Sequence, residues 1–179
     1  VAQVAGLTST SGLPPVVLVG GGTIDLAHLS AIGISSWSIG DEGIYDIVGT
    51  DAGDTFDIGQ GSATVSAGDG DDTIKISQKE VITDVIDGGA GDDTLRLVSG
   101  DVDLSAATLT GIERILVSSN SLSLSESQWQ TYGELVERAT GATTKFTLSL
   151  EQAGIRTLAA DSAYQGLSGS QGDDELRGN

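Results

Sequence analysis

The chain has no cysteine, no methionine, one histidine and two prolines, and only 4% of its residues are aromatic. Without Cys, no disulfide staples the fold and no thiolate holds a metal. One His without Cys also excludes zinc sites of the usual kind. The lack of Cys does not fix a compartment, but it suits a secreted protein stabilised by metal. Bases are scarce too: 8 Lys and Arg stand against 26 Asp and Glu, for a formal net charge of −18. Such a chain is a poor partner for nucleic acid, whose phosphates need Lys and Arg, and for anionic membranes. It is a natural host for cations. There is no run of 18 apolar residues, so no membrane span is expected. Val1 to Pro15 lacks the basic and apolar segments of a signal peptide. The chain starts at Val1 and stops inside a repeat at Asn179, which reads as a piece of something longer.

The residues that are abundant have a consistent character. Of the acids, 18 are Asp and 8 are Glu. Asp favours turns and short-range ligation, whereas Glu favours helices. The 26 Gly add positions where the backbone can turn tightly. Hydrophobic residues make up 38%, too many for a solvated acidic tail. Few aromatics and many β-branched residues predict a thin, repetitive β architecture.

Repeats carry the organisation. Gly49 to Asp57 (GTDAGDTFD), Ala67 to Lys75 (AGDGDDTIK), Gly88 to Arg96 (GGAGDDTLR) and Gly169 to Arg177 (GSQGDDELR) share one frame. The sixth position is Asp54, Asp72, Asp93 and Asp174; the eighth is Phe56, Ile74, Leu95 and Leu176. Ile58 to Ser66 keeps the frame with Ala63 in place of Asp, so Gly49 to Lys75 is three consecutive nonapeptides. Ser77 to Asp87 interrupts the frame. A longer repeat pairs Thr23 to Ile34 with Asp101 to Ile112, and Thr147 to Leu158 echoes it. Each reads as a solenoid rung, with a second strand such as Glu113 to Ser118. Val16 to Val19 reads as a short strand. One helix is expected, from Glu126 to Thr140: Ser125 can cap it with Gln128 three residues on, and Trp129, Tyr132, Val136 and Ala139 follow at helical spacing before Gly141. It should cover an edge or end of the β stack.

The nonapeptide has a chemical logic. Calcium takes six to eight oxygens, from carboxylates and backbone carbonyls alike. A run of Gly before a fixed Asp supplies a tight carbonyl-bearing turn and a short side chain that reaches back into it. The apolar residue two positions later points to the core. If two nonapeptides make one coil, residues 18 apart stack, so Asp54 lies over Asp72. If the insert after Ile76 loops out, Asp93 continues the ladder. The opposite side carries Ala63, and no full site is expected there.

The pattern Gly-Gly-x-Gly-x-Asp-x-apolar-x resembles the repeats-in-toxin nonapeptide. Gly88 to Arg96 matches at every fixed position; Ala67 to Lys75 departs at Ala67, Gly169 to Arg177 at Ser170, and Gly49 to Asp57 at Thr50 and Ala52. The resemblance implies a mainly β fold, a right-handed parallel β-roll or β-solenoid, here with one short capping helix. It implies Ca2+ in the turns, export by a one-step secretion machine, and folding triggered by external calcium. The residues expected at the metal are Asp54, Asp72 and Asp93, with Asp51, Asp69, Asp71, Gly68, Gly70, Gly89, Gly91 and, in the last copy, Asp174. Independently, 13 acids and 3 bases lie between Gly49 and Asp103. These carboxylates would repel once stacked unless cations joined them.

Other chemistries fare poorly. An EF-hand loop from Asp69 to Glu80 fails at Thr73 and at Ile74, where Gly is needed. Gly20-Gly21-Gly22 lacks the rest of a phosphate loop. A Ser-His-Asp triad would have to use His28, and no nucleophile elbow occurs. No catalytic activity is expected. The domain reading is a linker over 1–15 and one solenoid over 16–179, with the calcium core at 49–96, further rungs over 97–168 and another array starting at 169–179. The function expected is a calcium-folded structural or interaction module of a large secreted or cell-surface bacterial protein, of adhesin, surface-layer or matrix type. Its partners would be calcium and a cell-surface or polysaccharide ligand, with no nucleic acid. The alternative is a non-catalytic accessory module of a secreted enzyme or toxin.

Overall fold

The computed structural model describes residues 16–26, 36–40, 42–59, 62–77, 83–98, 100–118 and 121–139, and the strands at 145–149, 155–158, 167–168 and 175–178. The turn at Gly20 to Gly22 lies among the described residues, whereas the expected linker over 1–15, the rung residue His28 and the nonapeptide Asp174 lie outside them.

Short strands succeed one another along the chain and every pairing between them is parallel, so the chain winds as a β-solenoid. One sheet stacks β1 (Val16–Leu18), β3 (Ser36–Ile39), β5 (Thr55–Ile58), β7 (Thr73–Ile76), β9 (Thr94–Leu97), β12 (Arg114–Val117) and β14 (Val136–Arg138). The facing sheet stacks β2 (Gly22–Asp25), β4 (Ile44–Val48), β6 (Ser62–Asp69), β8 (Val85–Ala90) and β11 (Thr108–Thr110). At β10 (Asp101–Asp103) a third sheet opens and continues through β13 (Ser121–Ser125), β15 (Lys145–Ser149) and β17 (Leu167–Ser168). A separate pair joins β16 (Ile155–Leu158) to β18 (Glu175–Gly178).

The sequence dictates this shape through period-two burial. In β5 and β7 the second and fourth residues are buried: Phe56 and Ile58, Ile74 and Ile76. The same positions in β9 are Leu95 and Leu97 and in β12 are Ile115 and Val117. Facing them from the other sheet are Ile47, Val65 and Ile86. Fully burying one such side chain contributes about 1.5–3 kcal/mol. The core is therefore a narrow aliphatic column, closed towards β1 by Trp37 and Tyr45.

The helix α1 (Glu126–Tyr132) is shorter than the sequence suggested. It continues as one 3-10 turn (Gly133–Leu135), and Val136 then joins the first sheet as β14 instead of extending the helix to Thr140. Parallel pairing of Val136 with Ile115 outweighs the helical spacing of the apolar residues. The expected cap is present: the Ser125 hydroxyl accepts from Gln128 N–H, and the Gln128 side chain accepts from Ser125 N–H. The helix follows β13 in the coil and covers the edge of β11. Gln128 Nε2 donates to the carbonyls of Leu104 (2.6 Å) and Ala107 (3.0 Å), and the Tyr132 hydroxyl donates to the Leu109 carbonyl. Tyr132 thus satisfies a carbonyl of the edge strand β11, and Gln128 reaches two carbonyls of the turn before it, one of which, Leu104, also accepts Ala107 N–H.

The longer rung repeat splits between sheets. Gly22–Asp25 lies in the second sheet, whereas Asp101–Asp103 and Lys145–Ser149 share the third. The similarity in sequence therefore marks a strand-turn unit and not an equal place in the coil.

Candidate metal centre

The nonapeptides at 49–57, 67–75 and 88–96 place their turns on one side of the solenoid. Val48 pairs beside Ser66, and Ser66 beside Asp87, in one sheet; Thr55 pairs beside Thr73, and Thr73 beside Thr94, in the other. Three six-residue turns, 49–54, 67–72 and 88–93, are consequently stacked. The offset is 18 residues between the first two and 21 between the next two. The three extra residues fall between Ile76 and Val85 in the sequence, and Asp93 joins the ladder beside Asp72.

At the end of each turn the acid is buried: Asp54 at 2% exposure, Asp72 at 1% and Asp93 at 0%. They are tied in sequence. Asp72 Oδ1 accepts from Asp54 N–H at 2.6 Å, and Asp93 Oδ1 accepts from Asp72 N–H at 2.8 Å. The backbone runs alongside: Thr73 N–H donates to Asp54 O, and Thr94 N–H to Asp72 O. The carboxylates of Asp72 and Asp93 therefore each hold the start of the strand in the preceding coil.

The second oxygen of each acid has a different fate. Asp54 Oδ1, Asp72 Oδ2 and Asp93 Oδ2 are buried without a hydrogen-bond partner. A buried carboxylate oxygen without a donor or counter-charge is costly. The cost shows in the proton affinities. Burial pushes the Asp72 carboxyl up from its ordinary 3.8 to about 6; its hydrogen bond from Asp54 N–H opposes this, and the charges of Asp93, Asp54 and Asp71 add to it. Asp93 is raised as well, first by burial, with Glu113, Asp71 and Asp87 adding like charge against the hydrogen bond from Asp72 N–H. A proton, a cation or a bound water would relieve oxygens placed this way.

Glycine permits the close stacking. Gly70 has φ +110°, and a Cβ there would stand 2.6 Å from Gly53 N in the turn above. Gly91 has φ +146° and lies against the Gly70 backbone in the same manner. Gly68 pairs beside Gly89. The turns thus meet backbone to backbone, bringing their peptide groups and carboxylates together.

The other residues expected at the metal occupy the rim. Asp51, Asp69 and Asp71 are exposed; Asp71 Oδ1 accepts from Asp92 N–H at 3.0 Å. Among the described residues no three His, Cys, Asp or Glu side chains converge as a metal cluster. The ladder acids would contribute carboxylates two at a time, and a hard cation between turns would take the balance of its six to eight oxygens from carbonyls and water. On that chemistry the residues present fit calcium: paired, ionisable, donor-free oxygens in a carbonyl-rich turn.

Three residues had no place in the sequence reading of the site. Thr50 departs from the nonapeptide pattern, yet its N–H and hydroxyl both donate to Asp54 Oδ2 at 2.9 Å. Asp84 is buried on the opposite side and accepts from Ala63 N–H at 2.8 Å, so the position that lacks Asp in one coil borrows it from the next. Glu113 accepts from Asp93 N–H at 2.8 Å through Oε2. Its signal was its place immediately before a strand, 20 residues after Asp93, without glycines to advertise it.

Comparison of the chain with protein-family models, with curated proteins and with solved structures gives no match.

Proposed function

We propose that this chain is a calcium-binding, calcium-folded module of repeats-in-toxin type, serving a structural or interaction role in a larger secreted or cell-surface bacterial protein. The observation that carries the reading is the row of three buried aspartates, Asp54, Asp72 and Asp93, each with one oxygen hydrogen-bonded (to the neighbouring coil from Asp72 and Asp93, to Thr50 in its own turn from Asp54) and one left without a donor.

Bound calcium would supply the positive charge that these stacked carboxylates lack. The chain's own residues do the rest. Asp72 flanks both intervals between the turns. Gly70 and Gly91 let the carbonyl-bearing loops approach. The net charge of −18 opposes compaction wherever cations are scarce. Ladder acids committed to hydrogen bonds within the stack are badly placed for acid–base work on a substrate, which favours binding over catalysis. Extracellular calcium sites commonly work near 10⁻⁴–10⁻³ M, so such a module would stay loose in the cytosol and order outside, where a cell-surface or polysaccharide ligand would be met.

Circular dichroism during a calcium titration, with magnesium as control, tests this. A rise in β signal at roughly millimolar calcium, absent with magnesium, is expected. A spectrum indifferent to calcium would overturn the proposal.

A further inference from the structure

We infer that Glu113 is the end-stop of the metal ladder: it positions Asp93 from the metal-free side and is not itself a ligand, leaving two metal intervals in the stack. The inference rests on the calcium reading above.

Turn length is the first reason. Seven positions separate Val48 from Thr55, Ser66 from Thr73 and Asp87 from Thr94. In the next coil only four separate Thr110 from Arg114, which pair beside Asp87 and Thr94. The turn 111–113 is therefore three residues shorter than those before it, and it lacks the glycine-rich loop that would offer carbonyls to an ion.

Direct contact is the second. Gly111, at φ +56°, folds onto the preceding turn so closely that a Cβ on it would stand 2.6 Å from Gly89 N. Asp93 is engaged from this side at both its peptide groups: its N–H donates to Glu113 Oε2, and its carbonyl accepts from Glu113 N–H at 3.1 Å and Arg114 N–H at 3.0 Å. Glutamate suits the place because its extra methylene spans from a shorter turn to the same N–H that an aspartate reaches in the longer ones.

Exposure is the third. The three ladder aspartates are buried with a donor-free oxygen, whereas Glu113 is exposed to solvent. Water meets the needs of its second oxygen, and nothing there demands a cation.

Equilibrium dialysis of the full chain against calcium tests the assignment, with Glu113→Gln and Glu113→Ala beside the parent protein. All three are expected to bind the same number of ions. The Ala protein should hold its weakest ion roughly tenfold less tightly, because Asp93 N–H loses its acceptor. The Gln protein, which keeps an acceptor oxygen, should recover the parent affinity. One ion fewer in both variants would make Glu113 a ligand and overturn the inference, as would unchanged affinity in the Ala protein. Should the Ala protein fail to fold, the ion number and affinity of the Gln protein decide alone. Absence of calcium binding by the parent protein would instead defeat the calcium reading itself.

Discussion

Replacing Asp72 by Asn should stabilise the metal-free protein while removing most of its response to calcium. The amide keeps an acceptor for Asp54 N–H, which Asp72 holds at 2.6 Å, but carries no charge. Asp72 is 1% exposed, and its carboxyl is pushed from 3.8 to about 6. At neutral pH the folded chain without metal therefore carries this charge at a penalty on the order of 3 kcal/mol. Asn removes that penalty but buries its own NH2 group, whose desolvation takes back part of the gain. A net gain of about 1–2 kcal/mol in the absence of metal is expected. With calcium the sign inverts, since Asp72 is the one acid that flanks both intervals. Urea unfolding followed by circular dichroism, in EDTA and in millimolar calcium, measures both quantities. An Asn variant that is weaker than the parent in EDTA, yet gains as much from calcium, would refute the reasoning.

Three further outcomes follow from the same geometry. The folded-state proton affinities of Asp72 and Asp93 are raised, so between about pH 4 and about pH 6 the folded chain holds protons that the unfolded chain has released. Stability without metal should thus fall as pH rises through that window, and saturating calcium should reverse the slope; thermal melts in EDTA and in calcium read both. Gly91→Ala places a Cβ 2.7 Å from the Gly70 carbonyl carbon at a φ of +146°, and chemical denaturation should show a loss of at least about 2 kcal/mol. Tyr132→Phe removes the donor to the Leu109 carbonyl at the edge of β11, and should cost about 1 kcal/mol in the same assay without altering calcium affinity.

Much of this fold is legible in the sequence because the solenoid repeats one local rule. An apolar residue two positions after each Asp must face inward, and two nonapeptides close one coil; these facts place Phe56, Ile74 and Leu95 in one column and Asp54, Asp72 and Asp93 in another. What stayed hidden depends on pairing between distant segments. Asp84 and Glu113 take up backbone N–H groups 21 and 20 residues away, and neither sits in a nonapeptide. Thr50 looks like a defect in the pattern until its hydroxyl is seen on Asp54. The helix ends early for the same reason: the spacing from Trp129 to Ala139 is helical, but Val136 has a strand edge waiting at Ile115.

A crystal structure of the chain grown in calcium, with anomalous differences recorded, would test the central claim most directly. Peaks in the two intervals between turns 49–54, 67–72 and 88–93, with Asp54 Oδ1, Asp72 Oδ2 and Asp93 Oδ2 about 2.3–2.6 Å away, are predicted. Stacked turns without anomalous density, and with those three oxygens in contact only with protein, would contradict it.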